Sequence, residues 1–280
     1  MKEENYSIVA GFLPGTRGQL YTVHYIPSIL SEKAECIVVS SAFAEEMNRC
    51  RYMCTMFAQG IASQGVGFFS YDTYGTGDSE GDFDELEWGQ AGADLLTVCK
   101  YVLEQGYTRI SILGIRMGAL QALQVAKLIP NLHRMLFWQP VVNGNTALTQ
   151  LLRLKIAGTI NRDEESSSSE DFESMAESGK HIEVAGYSLS PNLFKGMKSA
   201  KMEDYLDFTH VKIVWFTTIA SEKRKPPRAE ILLMDKWRAE GATIDNFSIV
   251  GPPYWQVHER TLAPALVAAT VQCVVGLDSL

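Results

Sequence analysis

Residues 109–128 read RISILGIRMGALQALQVAKL, and the fold turns on this stretch. Residues 110–113 form a short apolar strand, GIRMG at 114–118 a tight turn, and the Ala-, Leu- and Gln-rich remainder a helix. These are the parts of a nucleophile elbow, in which a strained strand-to-helix turn lifts one side chain above the sheet while flanking glycines keep the turn free of clashes. The lifted residue is Arg116. Its guanidinium stays protonated and has no lone pair with which to attack a carbonyl, so a fixed positive charge stands where a nucleophile belongs.

Outward from the elbow, strands and helices alternate. Residues 6–12 and 18–25 make an opening antiparallel pair around a Pro14-Gly15 turn. ECIVVS (35–40) and VGFFSYD (66–72) are continuous apolar runs of the kind buried inside a parallel sheet, with a helix ending at Gly65 between them. A turn-rich loop, TYGTGDSEGDF (73–83), leads to a helix over 88–105 with Gly106 as its C-cap. HRMLFWQPVV (133–142) is a further strand, 210–218 and 244–250 two more, and 262–275 a closing helix. Strands and helices at this spacing predict an α/β fold with a mostly parallel eight-stranded sheet covered by helices on both faces.

The alternation breaks after Val142. Residues 148–160 read as a helix, and NRDEESSSSEDFESMAESGK (161–180) crowds seven acids and six serines into twenty residues, the composition of an exposed loop. The expected organisation is a core over 1–144, a lid inserted after the sixth strand over 145–207, and the rest of the core over 208–280. The acidic segment from Asp163 to Glu177 is a docking element if the chain serves as a scaffold.

Composition narrows the function. A net charge of −8 argues against a broad nucleic-acid footprint, which needs a clustered basic face. The longest apolar tract, 262–276, falls short of the ~20 residues of a membrane span and contains Pro264 and Gln272. With no signal architecture at the N-terminus, the expectation is a cytoplasmic protein. Five irregularly spaced cysteines suit packing in a reducing compartment; Cys50 and Cys54, one helical turn apart, have no further ligands nearby in sequence. No motif calls for a cofactor or a metal.

The blocks FAEEMN (43–48), YGTGDS (74–79) with GDF (81–83), GIRMGAL (114–120), WQPVV (138–142) with LTQ (148–150), AGY (185–187) and GPPYWQ (251–256) occur in order. On these the chain resembles the α/β-hydrolase superfamily over nearly its full length, and within it the second hydrolase-like family associated with the exosortase A system. The resemblance implies a cytoplasmic protein linked to exopolysaccharide production and to export of proteins with a short C-terminal sorting signal. Members tend to share the arginine-type elbow. One departure stands out: Ser41-Ala42 occupies the place of a typical His-Pro pair in the loop that usually supplies one N–H of the oxyanion hole.

A covalent mechanism needs a nucleophile, a base and an orienting carboxylate. His258, in the loop after the last strand, stands where the base is expected. Glu222 is the acid at the expected address, beside Lys223, Arg224 and Lys225. Ser41 and Ser79 are conceivable displaced nucleophiles, although both suit turns. The competing expectation is that the elbow binds an anion without cleaving it, because a helix start already favours negative charge and Arg116 adds a forked donor. The ligand-binding candidates are then Arg116, Met117, Ser41, Ala42 and Phe43, for a small anionic or acyl ligand or an acidic group of a protein partner. The structural counterpart is an Arg116 ion-paired to Asp72, Asp78 or Glu45. The alternative function is an active ester or thioester hydrolase, or acyltransferase, with a non-standard nucleophile.

Overall fold

The computed structural model describes residues 5–160, 169–205, 210–256 and 259–276, with backbone alone over 153–160 and 169–170. The strands are β1 (Tyr6–Pro14), β2 (Gln19–Pro27), β3 (Glu35–Ser40), β4 (Gly67–Tyr71), β5 (Arg109–Ile115), β6 (Leu132–Trp138), β7 (Ile182–Val184), β8 (Tyr187–Leu189), β9 (Lys212–Ile219) and β10 (Ile244–Val250). Eight of them form one sheet in the order β1-β2-β4-β3-β5-β6-β9-β10. β1, β2 and β4 pair antiparallel, and every pair from β4 to β10 is parallel.

Strand composition explains why this sheet lies inside. In β3, Cys36 and Val38 feed one core while Ile37 and Val39 feed the other. The same split separates Met135 and Phe137 from Leu136 and Trp138 in β6, and Ile213 and Trp215 from Val214 and Phe216 in β9. A strand with two apolar faces is stable only when both are covered. Helices α1 (Glu45–Ala62) and α8 (Pro264–Gly276) cover one face; α2 (Trp88–Glu104), α3 (Met117–Val125) and α7 (Arg228–Ala239) cover the other.

The chain leaves β3 towards β4 and leaves β5 towards β6, on opposite sides. Connections diverging from neighbouring parallel strands open a crevice at their C-terminal ends, where α/β sheets bind ligands. At the other end of the same strands lies a buried ion pair. Arg134 of β6 donates through Nε to Glu35 of β3 at 2.8 Å and through Nη2 to the second carboxylate oxygen, while Ser111 of the intervening β5 donates its hydroxyl to Glu35.

Between β6 and β9 the chain forms α4 (Gly144–Ile160), α5 (Ser169–Glu177), the β7–β8 hairpin and α6 (Pro191–Ser199). The acidic run differs from its expected form. Its second half is α5, a helix whose Phe172 and Ala176 are buried four residues apart, so one apolar stripe anchors a segment that composition alone reads as loop. Residues 161–168 lie outside the described residues. Among the described residues no helix is long and apolar enough to cross a membrane.

In β2, His24 is buried against Phe69, its Nε2 sharing a hydrogen bond with the Tyr107 hydroxyl at 3.0 Å. Burial pushes its pKa down from 6.5 to about 4. Between those values the unfolded chain binds a proton that the folded chain refuses, so stability falls as pH drops through the interval, by about 3 kcal/mol in all. Thermal melts across this range should show the loss in the wild type and a flatter profile in His24→Phe.

Candidate functional site

β5 runs two residues beyond the expected strand, and α3 starts at Met117, so the elbow narrows to the single residue Arg116. Its backbone sits at φ 54°, ψ −119°, a conformation that L residues rarely adopt. Two glycines make the turn possible. A Cβ on Gly114 would lie 2.6 Å from the Cα of Ala119, and one on Gly118 would lie 2.0 Å from the carbonyl oxygen of Ser40. Hydrogen bonds from Arg116 N–H to the Trp138 carbonyl (3.1 Å) and from Val141 N–H to the Arg116 carbonyl (3.2 Å) tie the turn to the exit of β6.

The Arg116 side chain turns towards α1. Its Nε donates to both Glu46 oxygens (3.3 and 3.2 Å), Nη2 to Glu46 Oε1 (3.2 Å) and Nη1 to the Gln139 carbonyl (3.0 Å). The Trp255 ring lies against the guanidinium, 5.1 Å from its carbon, adding a cation–π contact. The ion-pair partner is therefore neither Asp72 nor Asp78 nor Glu45. Asp72 accepts from Arg51 Nη2 (2.7 Å) and from the Asp78 N–H (2.9 Å), and Glu45 accepts from the Tyr187 hydroxyl (3.2 Å).

Helix electrostatics account for the pairing. A cation at the start of α3 opposes that helix's dipole, whereas a carboxylate in the first turn of α1 is favoured by its own. Glu46 neutralises the guanidinium where two helix starts face one another.

Arg116 borders a cleft of about 570 Å³ at the C-terminal end of the sheet, with Gln139, Asn143, Lys201, Glu230 and Trp255 among its walls. Glu230 is a site residue that sequence reasoning passes over in favour of Glu222. Glu222 lies exposed in the turn after β9, whereas Glu230, in the first turn of α7, is buried. Trp215 Nε1 (3.0 Å) and Thr217 Oγ1 (2.6 Å) both donate to its Oε2, and the residue borders the cleft. Burial raises its pKa, with these two hydrogen bonds and the charge of Arg116 acting in the opposite sense. The signal available was the Trp-x-Thr alternation of β9, which sets two donors on the face that α7 covers.

The other candidates scatter. Met117 is buried in the core beneath the elbow, and Phe43 packs its ring on Phe83 with centroids 5.4 Å apart. Ser41 and Ala42 border a second cavity, of about 490 Å³, with Cys50 and Cys54 of α1. Burial pushes the Cys54 thiol up to about 12 and Cys50 well above its ordinary value, so both are held as thiols. Ser79 is a turn residue whose hydroxyl accepts from Tyr21 N–H and donates to the Asp72 carbonyl. His258 lies outside the described residues.

A family model described as serine aminopeptidase, S33, matches residues 31–202. No curated protein matches the chain. Solved structures do. Est1E from Butyrivibrio proteoclasticus, with ferulic acid bound, aligns at a TM-score of 0.63 and 15% identity over 96% of this chain and 97% of its own. A putative hydrolase from Agrobacterium vitis S4 aligns at 0.61 and 12% over 97% and 98%. An alpha-beta serine hydrolase homologue from Coxiella burnetii aligns at 0.54 and 12% over 96% of each chain. At such identities the likeness is one of fold, and chemistry has to be argued from the site.

Removing the carboxylate at position 46 leaves a largely covered guanidinium without its counter-charge. Glu46→Ala should cost about 1–3 kcal/mol, read as a lowered denaturation midpoint with an unchanged slope.

Proposed function

The chain belongs to the serine aminopeptidase S33 family of α/β hydrolases, and from that premise we propose that it binds a small carboxylate- or phosphate-bearing ligand in the elbow cleft without hydrolysing it. The observation that carries this reading is Arg116. It holds the strained elbow position, borders the cleft, and offers a forked donor suited to oxyanions in place of a nucleophile.

Glu46 acts in this reading as a resident carboxylate, occupying the guanidinium until the ligand's own anion displaces it. Lys201 supplies a second positive charge on the cleft wall, and Glu230 offers an acceptor for a hydroxyl or amino group elsewhere on the ligand. Residues 145–207 serve as the lid: Thr146, Gln150 and Lys201 all reach the cleft from that insertion. The resemblance to the exosortase-associated family supplies the proposed setting, a cytoplasmic protein of exopolysaccharide production.

The test is ligand-induced thermal stabilisation with inorganic phosphate and a panel of small carboxylates. The wild type should be stabilised and Arg116→Ala should not. Glu46→Gln should bind about tenfold more tightly, a gain of ~1.4 kcal/mol, because the ligand no longer competes with a charge. An unchanged response in Arg116→Ala overturns the reading. So does hydrolysis of p-nitrophenyl esters or acyl thioesters that disappears in His258→Ala, which would establish an active hydrolase with an unrecognised nucleophile.

A further inference from the structure

β1 is an edge of the central sheet, paired on one side with β2. Its ladder register identifies the groups that face outward. The hydrogen bonds from Ser28 N–H to the Asn5 carbonyl (2.9 Å) and from Gly15 N–H to the Gly18 carbonyl (2.8 Å) continue that register at either end. Bonded and non-bonded pairs alternate along an antiparallel ladder, so the odd-numbered residues of β1 bond to β2. Ile8, Ala10 and Phe12 therefore turn their N–H and C=O groups away from the sheet.

Such an edge invites another strand unless it is short, bulged, charged or covered. This one spans nine residues in unbroken register, and none of them is charged. Ile8, Val9 and Phe12 are 50%, 53% and 62% exposed. Between Asn5 and Ser31 Arg17 is the only Lys, Arg, Asp or Glu. That arginine is turned back onto its own chain, donating to the Glu85 carbonyl (3.2 Å) and lying over the Tyr74 ring. His24 of β2 is neutral at physiological pH through burial.

We propose that β1 is the interface of a homodimer, pairing antiparallel with the same strand of a second copy. Two chains of net charge −8 repel one another, and this hairpin, with no acidic residue and Arg17 as its one charge, is where they can meet at least electrostatic cost. The strand is also complementary to itself. A twofold axis at Ala10 overlaps the strand along its whole length, Tyr6 facing the partner's Pro14. Ile8 then stands opposite the partner's Phe12, and Phe12 opposite the partner's Ile8, giving two aromatic–aliphatic cross-strand pairs. Ala10, small and central, faces its own copy with nothing to clash. The two eight-stranded sheets become one continuous sheet.

Light scattering coupled to size exclusion tests this on the full chain. The wild type should show twice the 31.1 kDa chain mass. Ala10→Pro removes an outward amide without touching a bond to β2, and Phe12→Lys sets a charge on the edge; both should run as monomers with unchanged circular dichroism. If one variant fails to fold, Ile8→Lys gives the same reading. A wild type that stays monomeric up to about 100 μM overturns the proposal, as does a dimer that survives the folded variants.

Discussion

Position 118 has no room for a side chain, and the site depends on that constraint. The start of α3 passes so close to the exit of β3 that a Cβ there would meet the Ser40 and Ser41 carbonyls at 2.0 and 2.4 Å. This approach sets the elbow against the loop leading into α1, where Ala44 takes a similar left-handed backbone, φ 52° and ψ −130°. Two helices thus begin side by side, each from a strained residue. Arg116 stands at one start and Glu46 in the first turn of the other, within hydrogen-bonding reach. A looser contact between β3 and α3 would separate the charges and leave the guanidinium facing its own helix's positive end.

Much of the architecture was legible because the central strands carry apolar residues on both faces. ECIVVS cannot be half-solvated, and runs of this kind between helices leave few arrangements other than a parallel sheet. The elbow was legible through its glycines and its polar apex. The partner of Arg116 was not, because it depends on helical phase: Glu45 and Glu46 are neighbours in sequence but point 100° apart around α1, and only the three-dimensional start of that helix decides which faces the elbow. Glu230 was hidden for a related reason. Eight residues separate it from Glu222, and the one nearer the strand end, beside three cations, lies in solvent while the farther one is carried under the sheet by α7. The buried stripe of α5 was obscured by the charge density around it.

The cleft brings together opposing demands. Glu230 is a carboxylate raised by burial and lowered by the charge of Arg116, while Arg116 is a cation already balanced by Glu46. Arg116 and Lys201 share the cleft wall with Glu203 and Glu230, two charges of each sign, so donors and acceptors are both present.

The buried Glu35–Ser111–Arg134 group at the opposite end of the sheet bears on how the chain finds this arrangement. It joins three strands that are neighbours in space but are separated in sequence by as many as 99 residues. Were β6 to pair one residue out of step, its side chains would exchange faces, and Arg134 and Glu35 would each lose the opposite charge that compensates its burial, a cost of several kcal/mol. Apolar residues tolerate such slips far better, since one aliphatic side chain substitutes for another. The ion pair is then a register key: it contributes less to holding the sheet together than to penalising every misaligned version of it.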